Sequence, residues 1–312
     1  MKISVIIPVY NAEKYVAQAV KSALQFEDVY EVVLVEDKSP DNALQVCQEL
    51  AAQYDRVKLY QHPDKGNHGA GATRNLGIEK SEGDFIAFLD ADDYYLPNRF
   101  DAEKELFTNK DVDGVYGAIG VHYYSEKAKE QYYKVFGDRL TTVYKKYPPK
   151  DVFPGQLNMI GTFGLFSIDA LTIRKSSLQN MEYFFKTHLK LHQDTEFLFR
   201  LSYYLDLYPG ILDKAVAVRG VHENNRITKV DSGQIKPAST RVVLWKEVNS
   251  WAENENTIPE DIKLHIKRVY RSFQIANAPL LKKWGMITKY LLTDYKSIRS
   301  GLYNINFRND LF

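Results

Sequence analysis

The feature that most narrows the fold is an alternation of two periods along residues 1–120. Ile3 to Val9 is a continuous apolar run, the pattern of a strand buried on both faces. Asn11 then caps a segment, Ala12 to Leu24, whose apolar positions recur at helical spacing. Val29 to Val35 repeats the strand pattern, and Asp41 to Tyr54 the helical one, opened by Ser39-Pro40-Asp41. Val57 to Tyr60 is a short third strand. A Gly-rich turn, Gly66 to Gly71, leads into a helix through Lys80, and Asp84 to Leu89 is a fourth strand. The order β-α-β-α-β-α-β predicts a mostly parallel sheet flanked by helices on both faces. Such sheets bind ligands at the carboxyl ends of their strands, so those ends are where chemistry is expected.

After Pro97 the pattern loosens. Val112 to Tyr124 reads as one strand or two, and Lys127 to Lys150 is a Tyr- and Lys-rich polar insertion. Phe163 to Ile173 returns to strand character, Gln193 to Leu205 to helix, and Ile211 to Val218 to strand. From Ser239 to Phe312 the reading is helical throughout. The expected organisation is a larger α/β domain over residues 1–238, in two halves (1–110 and 111–238). A helical appendage follows over residues 239–312. A net charge of +1 over 312 residues gives no global drive toward nucleic acid. The single cysteine, Cys47, excludes an intrachain disulfide framework. With no signal-peptide pattern and no apolar run of membrane-spanning length, a cytoplasmic protein is expected.

Three loops at successive strand ends carry candidate chemistry. Phe88-Leu89-Asp90-Ala91-Asp92-Asp93 places three carboxylates directly after a buried strand, with no basic residue until Arg99. Their mutual repulsion calls for solvent or a cation, and a hard divalent ion accepts carboxylate and phosphate oxygens together. The plain alternative is an acidic turn or helix cap. Glu36-Asp37 ends the second strand; a carboxylate there can accept the N–H of a nucleobase or cap the next helix. Gly66 to Asn75 lets backbone approach a ligand closely, and Arg74 within it can meet phosphate or base. No Gly-Lys-Ser/Thr ending follows, so it is not a P-loop. Asp194, opening an amphipathic helix with Phe197, Leu198, Leu201 and Leu205 on one side, reads as a general base or as a helix cap.

These residues resemble glycosyltransferase family 2, whose fold is GT-A. The matching segments are Val5-Ile6-Ile7-Pro8-Val9-Tyr10-Asn11, Val35 to Asp41, Asn67 to Gly77, Gly83 to Asp93 and Gln193-Asp194-Thr195-Glu196, within residues 1–225. The resemblance implies an inverting transferase of hexosyl or N-acetylhexosaminyl type. It would draw on a nucleotide diphosphate-sugar, UDP-sugar in preference, and act on a saccharide or lipid-linked acceptor in polysaccharide or glycan synthesis. Pro8, Val9 and Tyr10 would wall the nucleotide pocket; Asp37, with Glu36 beside it, would hold the base, and Arg74 would lie against the nucleotide. Asp90 and Ala91 would face ribose and sugar, and Asp92 would bind Mn²⁺ or Mg²⁺ bridging the diphosphate. His222 would complete the metal shell, Arg226 would reach the diphosphate, and Asp194 would deprotonate the acceptor. The chain departs from the family pattern at Glu36-Asp37-Lys38-Ser39, where Asp-Asp or Asn-Asp is usual, and at Gln193, where an acid is usual.

Residues 263–308 hold many basic residues, among them Lys263, Lys267, Arg268, Arg271, Lys282, Lys283, Lys289, Lys296, Arg299 and Arg308, against one acid, Asp294. Interleaved with Trp284, Met286, Ile287, Tyr290, Leu291 and Leu292, they suit a helix at an anionic membrane surface. The alternative is an appendage packed on the catalytic domain or on a second copy in a homodimer. Two other readings compete: a sugar nucleotidyltransferase, which ordinarily has a Gly-rich basic loop where this chain has Pro8-Val9-Tyr10-Asn11, and a non-catalytic sugar-nucleotide-binding relative, against which Asp92 and Asp194 speak.

Overall fold

A computed structural model of the chain describes residues 1–223, 225 and 237–302. The chain divides into two compact units, Met1–Glu223 and Asn224–Phe312. In the first, the expected alternation is present as β1 (Ile3–Val9), α1 (Val16–Leu24), β2 (Val29–Glu36), α2 (Ala43–Gln53), β3 (Val57–Gln61), α3 (Gly69–Lys80) and β4 (Phe85–Phe88). These strands pair in parallel, in the order β3-β2-β1-β4. After β5 (Tyr94–Tyr95) and α4 (Asp101–Leu106) come β6 (Gly114–Tyr116), β7 (Ala118–Tyr123), α5 (Glu126–Phe136) and α6 (Pro149–Gln156). Then follow β8 (Leu171–Arg174), α7 (Gln193–Tyr204), β9 (Leu207–Pro209) and β10 (Ala215–Val221). β8, antiparallel to β4, extends the large sheet through β6 to β9, while β5, β10 and β7 form a second sheet.

The unbroken apolar runs are explained by burial on both sides. Ile3, Val5, Ile7 and Val9 alternate with Ile6 along β1, as Val32 and Leu34 alternate with Val33 and Val35 along β2. One set packs under α1 and α2 through Val16, Ala19, Val20, Cys47 and Leu50. The other meets Ile78 of α3 and Phe197 and Leu201 of α7. The register pairs Val9 with Glu36 and Glu36 with Gln61, so three strands end at one level and their loops open on one edge.

Several boundaries differ from the sequence reading, each for a tertiary reason. Asn11 does not cap α1: it is left-handed (φ 53°) and its N–H donates to Ser39 Oγ at 3.1 Å. Glu13 N–H donates to Asp41 Oδ2 at 2.9 Å, so this stretch ties to the neighbouring loop and the helix starts at Val16. Residues 112–124 become two strands in different sheets, separated at Gly117, whose N–H donates to the Ala170 carbonyl at 2.9 Å. The polar insertion contains α5, capped by Ser125 Oγ, which accepts from Ala128 N–H at 3.1 Å. Only the end of the 163–173 run is strand, because a 3-10 turn at Ile168–Ala170 precedes β8. The last strand falls at Ala215–Val221 rather than from Ile211.

The second unit is helical as expected: α8 (Pro237–Asn254), α9 (Glu260–Asn277), α10 (Leu280–Thr293) and α11 (Tyr295–Leu302). Trp245 stacks on Phe273 between α8 and α9, with centroids 6.3 Å apart. Asp294 accepts from Arg268 Nε at 3.0 Å and from Arg271 Nη1 at 2.9 Å, bracing α9 against the α10–α11 junction. Arg308 and the rest of residues 303–312 lie outside the described residues. Among the described residues no helix is long and apolar enough to cross a membrane.

Candidate active site

The loops after β1, β2 and β3 and the turn after β4 are tied together by hydrogen bonds. Asp37, buried at the end of β2, accepts from His68 N–H at 2.7 Å and from Gly69 N–H at 2.8 Å. It thereby supplies an N-terminal anion to α3, the third element after β2. Asn67 Nδ2 donates to the Asp37 carbonyl at 2.7 Å, which closes the Gly-rich loop onto β2. Glu36 is equally committed: its carboxylate accepts from Ser39 N–H and from Gln61 Nε2 at 2.7 Å. Both carboxylates therefore bind the protein's own donors, Asp37 at the start of α3 rather than of the next helix. Asn11, Lys38 and Lys65 in these loops and His192 before α7 are non-glycine residues at positive φ, an arrangement that costs about 1 kcal/mol or more each and clusters at functional sites.

Around β4 the acids sort themselves by burial. Asp90 forms an ion pair with Nη2 of Arg74, which is itself buried. Burial pulls the guanidinium pKa down, but Asp90, Asp194 and Asp169 together hold it above its ordinary value. Arg74 Nε and Nη1 have no hydrogen-bond partner among the described residues. Asp93 and Asp169 are buried, and together with Asp90 they present ligand atoms within 4.8 Å of one another. Asp93 accepts from Gly220 N–H at 2.9 Å, and Asp169 accepts from Asp90 N–H at 2.9 Å. Burial and the Asp90 charge push Asp169 up to about 6; burial and Asp169 push Asp93 well above the usual carboxylate range. Two buried carboxyls in hydrogen-bond contact share a proton rather than ionise together.

Asp92 points the other way. Its Oδ2 lies 3.1 Å from His222 Nε2, at the end of β10. The structure thus brings together the two residues expected to ligate a metal. The His222 ring stacks on Tyr15, which precedes α1, with centroids 4.6 Å apart and planes 17° off parallel. Tyr124 donates to the Asp92 carbonyl at 3.2 Å and packs against Tyr15 with centroids at 4.6 Å. Burial, with the charges of Asp92 and Glu223, raises the Tyr15 pKa, so its phenol stays neutral beside the acids. Asp92 and His222 in contact could ligate a divalent cation, and Asp90, Asp93 and Asp169 form a second, all-oxygen group that could hold one.

Asp194 sits in the first turn of α7, where its Oδ1 accepts from Thr195 N–H at 2.8 Å; it is not the cap, a position held by His192. α7 is locked by the buried pair Glu196–Arg200, bonded at 2.8 Å. Arg200 also donates to the carbonyls of Tyr183, at 2.7 Å, and Phe184. From the other side Asn75 of α3 clamps both backbone groups of Phe185, at 2.8 and 2.9 Å. The Phe185 ring in turn lies 5.5 Å from the Arg74 guanidinium. One clamped segment thus fixes Arg74 relative to the helix bearing Asp194.

Of the remaining expected residues, Tyr10 is exposed and Pro8 half-buried, both able to face a ligand, whereas Val9 and Ala91 belong to the core. Arg226 lies outside the described residues. The sequence reading missed Asp169, Tyr15, Tyr124 and Phe185. Asp169 had left one trace, an acid inside an apolar run; aromatic residues 15, 124 and 185 had left none, because only the tertiary fold brings them to the site.

The sheet order is that of the GT-A fold. TarS 1–349 from S. aureus, solved in complex with UDP-GlcNAc, superimposes with TM-score 0.62 at 19% identity, covering 92% of this chain and 79% of that one. A mannosyltransferase from Pyrobaculum calidifontis, solved with GDP-Man and Mn²⁺, gives 0.56 at 12% identity, covering 99% and 85%. The sequence matches glycosyl transferase family 2 over residues 4–173, and the chain belongs to that family. An uncharacterized glycosyltransferase of Haemophilus influenzae is 41% identical over 105 residues, 33% of this chain and 40% of the relative. The match to that curated relative thus spans well under half of its length.

Proposed function

We propose that this family 2 enzyme is an inverting glycosyltransferase that moves a hexosyl or N-acetylhexosaminyl group from a UDP-sugar to a hydroxyl of a saccharide or lipid-linked acceptor. Its place would be surface-polysaccharide synthesis at the cytoplasmic face of a membrane. The observation that carries the reading is the shared field at Arg74. One buried guanidinium is bonded to Asp90 of the donor-side motif, and the Asp194 charge lies close enough to raise its pKa further. This supports the reading that donor-side and acceptor-side groups share one site.

In this reading Asp92 and His222, with Asp90, hold the divalent cation. Asp93 and Asp169 stand behind them as a proton-sharing pair that fixes the turn through Gly220 N–H and Asp90 N–H. The bound cation supplies Lewis-acid stabilisation of the departing diphosphate. Arg74, buried against Asp90, sets a fixed positive charge beside the donor side of the site. Tyr10, exposed at the end of β1, offers its ring to the base. Asp194 takes the acceptor's proton as the hydroxyl attacks, a contribution typically of about 10²–10⁴-fold. One displacement inverts the anomeric centre.

Asp194→Asn tests the assignment. Calorimetry should find Mn²⁺-dependent UDP binding unchanged, while sugar transfer drops by at least about 10²-fold. Undiminished transfer would remove Asp194 as the base. Titrating GDP beside UDP decides the nucleotide.

A further inference from the structure

The basic tail was expected to act as a whole, but the structure divides it. Arg268 and Arg271 are paired with Asp294, Lys267 with Glu253 at 3.0 Å, and Lys263 with Glu260 at 3.5 Å. α10 is different. Its inward face, Ile287 with Met286 and Tyr290, packs on Ile275 and Ala276 of α9. A second apolar face points outward: Leu280, Leu281, Trp284, Leu291 and Leu292, each between 56% and 89% exposed. At the helical advance these five fall within an arc of about 120°. Thr288 lies inside that arc, and its hydroxyl donates to the Trp284 carbonyl at 3.0 Å, which lowers the cost of taking it out of water. Lys282 and Lys289, both exposed, form a row along one border of the stripe. Leu280–Thr293 contains three lysines and no acid.

We infer that this outward stripe of α10 docks the protein on an anionic lipid surface, with the leucines and Trp284 entering the interfacial layer and the lysine row facing lipid headgroups. Contiguous exposed apolar side chains of this kind mark an interaction surface. An apolar stripe carrying leucine and tryptophan beside lysines is the pattern of a helix lying in the membrane interface. Charge decides between this and a second copy of the chain. A two-fold dimer pairing this face antiparallel would set the two lysine rows side by side, and a parallel one would leave each row without an acid of the partner helix to answer it. The wider distribution points the same way. Asn224–Phe312 carries 15 basic and 8 acidic residues and Met1–Glu223 carries 26 and 32, so the net charge of +1 divides into +7 and −6. An anionic surface attracts the unit that bears the stripe. The inference does not depend on glycosyl transfer, and its test leaves catalysis aside.

The test uses the full chain with vesicles of phosphatidylcholine alone and of phosphatidylcholine mixed with phosphatidylglycerol. Sedimentation with the anionic vesicles, falling with added salt, is expected. Trp245 and Trp251 are buried, so a blue shift of tryptophan emission on binding reports Trp284 and should vanish in Trp284→Phe, which still sediments. Leu281→Asp with Leu292→Asp should lower the partition by at least about tenfold. Lys282→Gln with Lys289→Gln should remove most of the preference for anionic over neutral vesicles. All these side chains are exposed, so heat denaturation should match the parent chain. Sedimentation that the double aspartate variant does not reduce, or no binding to either vesicle, overturns the inference. So does a dimer in light scattering that Leu281→Asp with Leu292→Asp dissolves while vesicles leave the chain in solution; the face would then belong to a second copy.

Discussion

Asp169 shows how a residue can govern the site from behind it. It accepts from the Asp90 backbone, shares a proton with Asp93, and carries its own carbonyl on Arg99 Nε at 3.1 Å. Its folded pKa, pushed up to about 6, exceeds that of an unfolded aspartate, about 3.9. Between those values the folded state holds a proton that the unfolded state has released. The contribution of this group to stability is therefore greatest at low pH and declines as pH rises through the window. Asp169→Asn keeps an oxygen for Asp90 N–H but cannot ionise. Denaturant unfolding with a chelator present should find the variant gaining on the parent from about pH 4 to 6 and level above it. A constant difference across that range would mean that no proton is held there. At this scale the sequence was partly legible. Asp90, Asp92 and Arg74 stand out because like charges and a glycine-rich turn at strand ends are costly without a reason. The sequence offered Asp37 as a cap for the next helix, and it instead accepts from the start of α3, three elements on, because such a long-range bond leaves no local pattern.

At the scale of elements, two glycines make contrasting demands. Gly77 of α3 lies on β1, where a Cβ would fall inside van der Waals contact of Ile6 Cγ2. Gly220 of β10 lies against the turn after β4, where a Cβ would meet the Asp92 carbonyl and the Tyr124 ring. Alanine at either position should cost about 1–3 kcal/mol, the usual range for overpacking. Only Gly220→Ala should also weaken Mn²⁺-dependent UDP binding, because its strain bears on Asp92. Equal loss of binding in both variants, measured below their melting temperatures, would argue that the turn moves with the whole sheet. The parallel half of the fold was readable because buried strands announce themselves as unbroken apolar runs. The start of α1 was not. Asn11 looks like a cap, but a hydrogen bond to Ser39, 28 residues away, holds it left-handed. For the same reason residues 112–124 could not be assigned to two sheets, since strand partners are set by the fold and not by neighbouring residues.

For the molecule as a whole, the site links ligand binding to stability. His222 comes from the end of β10, Asp92 follows β4, Arg74 belongs to α3 and Asp194 to α7, and all lie in Met1–Glu223. Unfolding that unit separates them, so a ligand that needs the assembled set stabilises the folded state by mass action. UDP with Mn²⁺ at a hundredfold excess over its dissociation constant should add about 2.7 kcal/mol. For a unit of this size that raises the melting midpoint by very roughly 5–10 °C, at about 2–4 °C for each kcal/mol. Asp194→Asn should retain the whole shift, since the role proposed for Asp194 is in transfer and not in holding the nucleotide. Asp92→Asn with His222→Ala should lose most of the Mn²⁺-dependent part and keep whatever UDP alone confers. The metal-dependent shift surviving in that double variant would place the cation on Asp90, Asp93 and Asp169 instead. It would then have to displace the proton those two buried acids share.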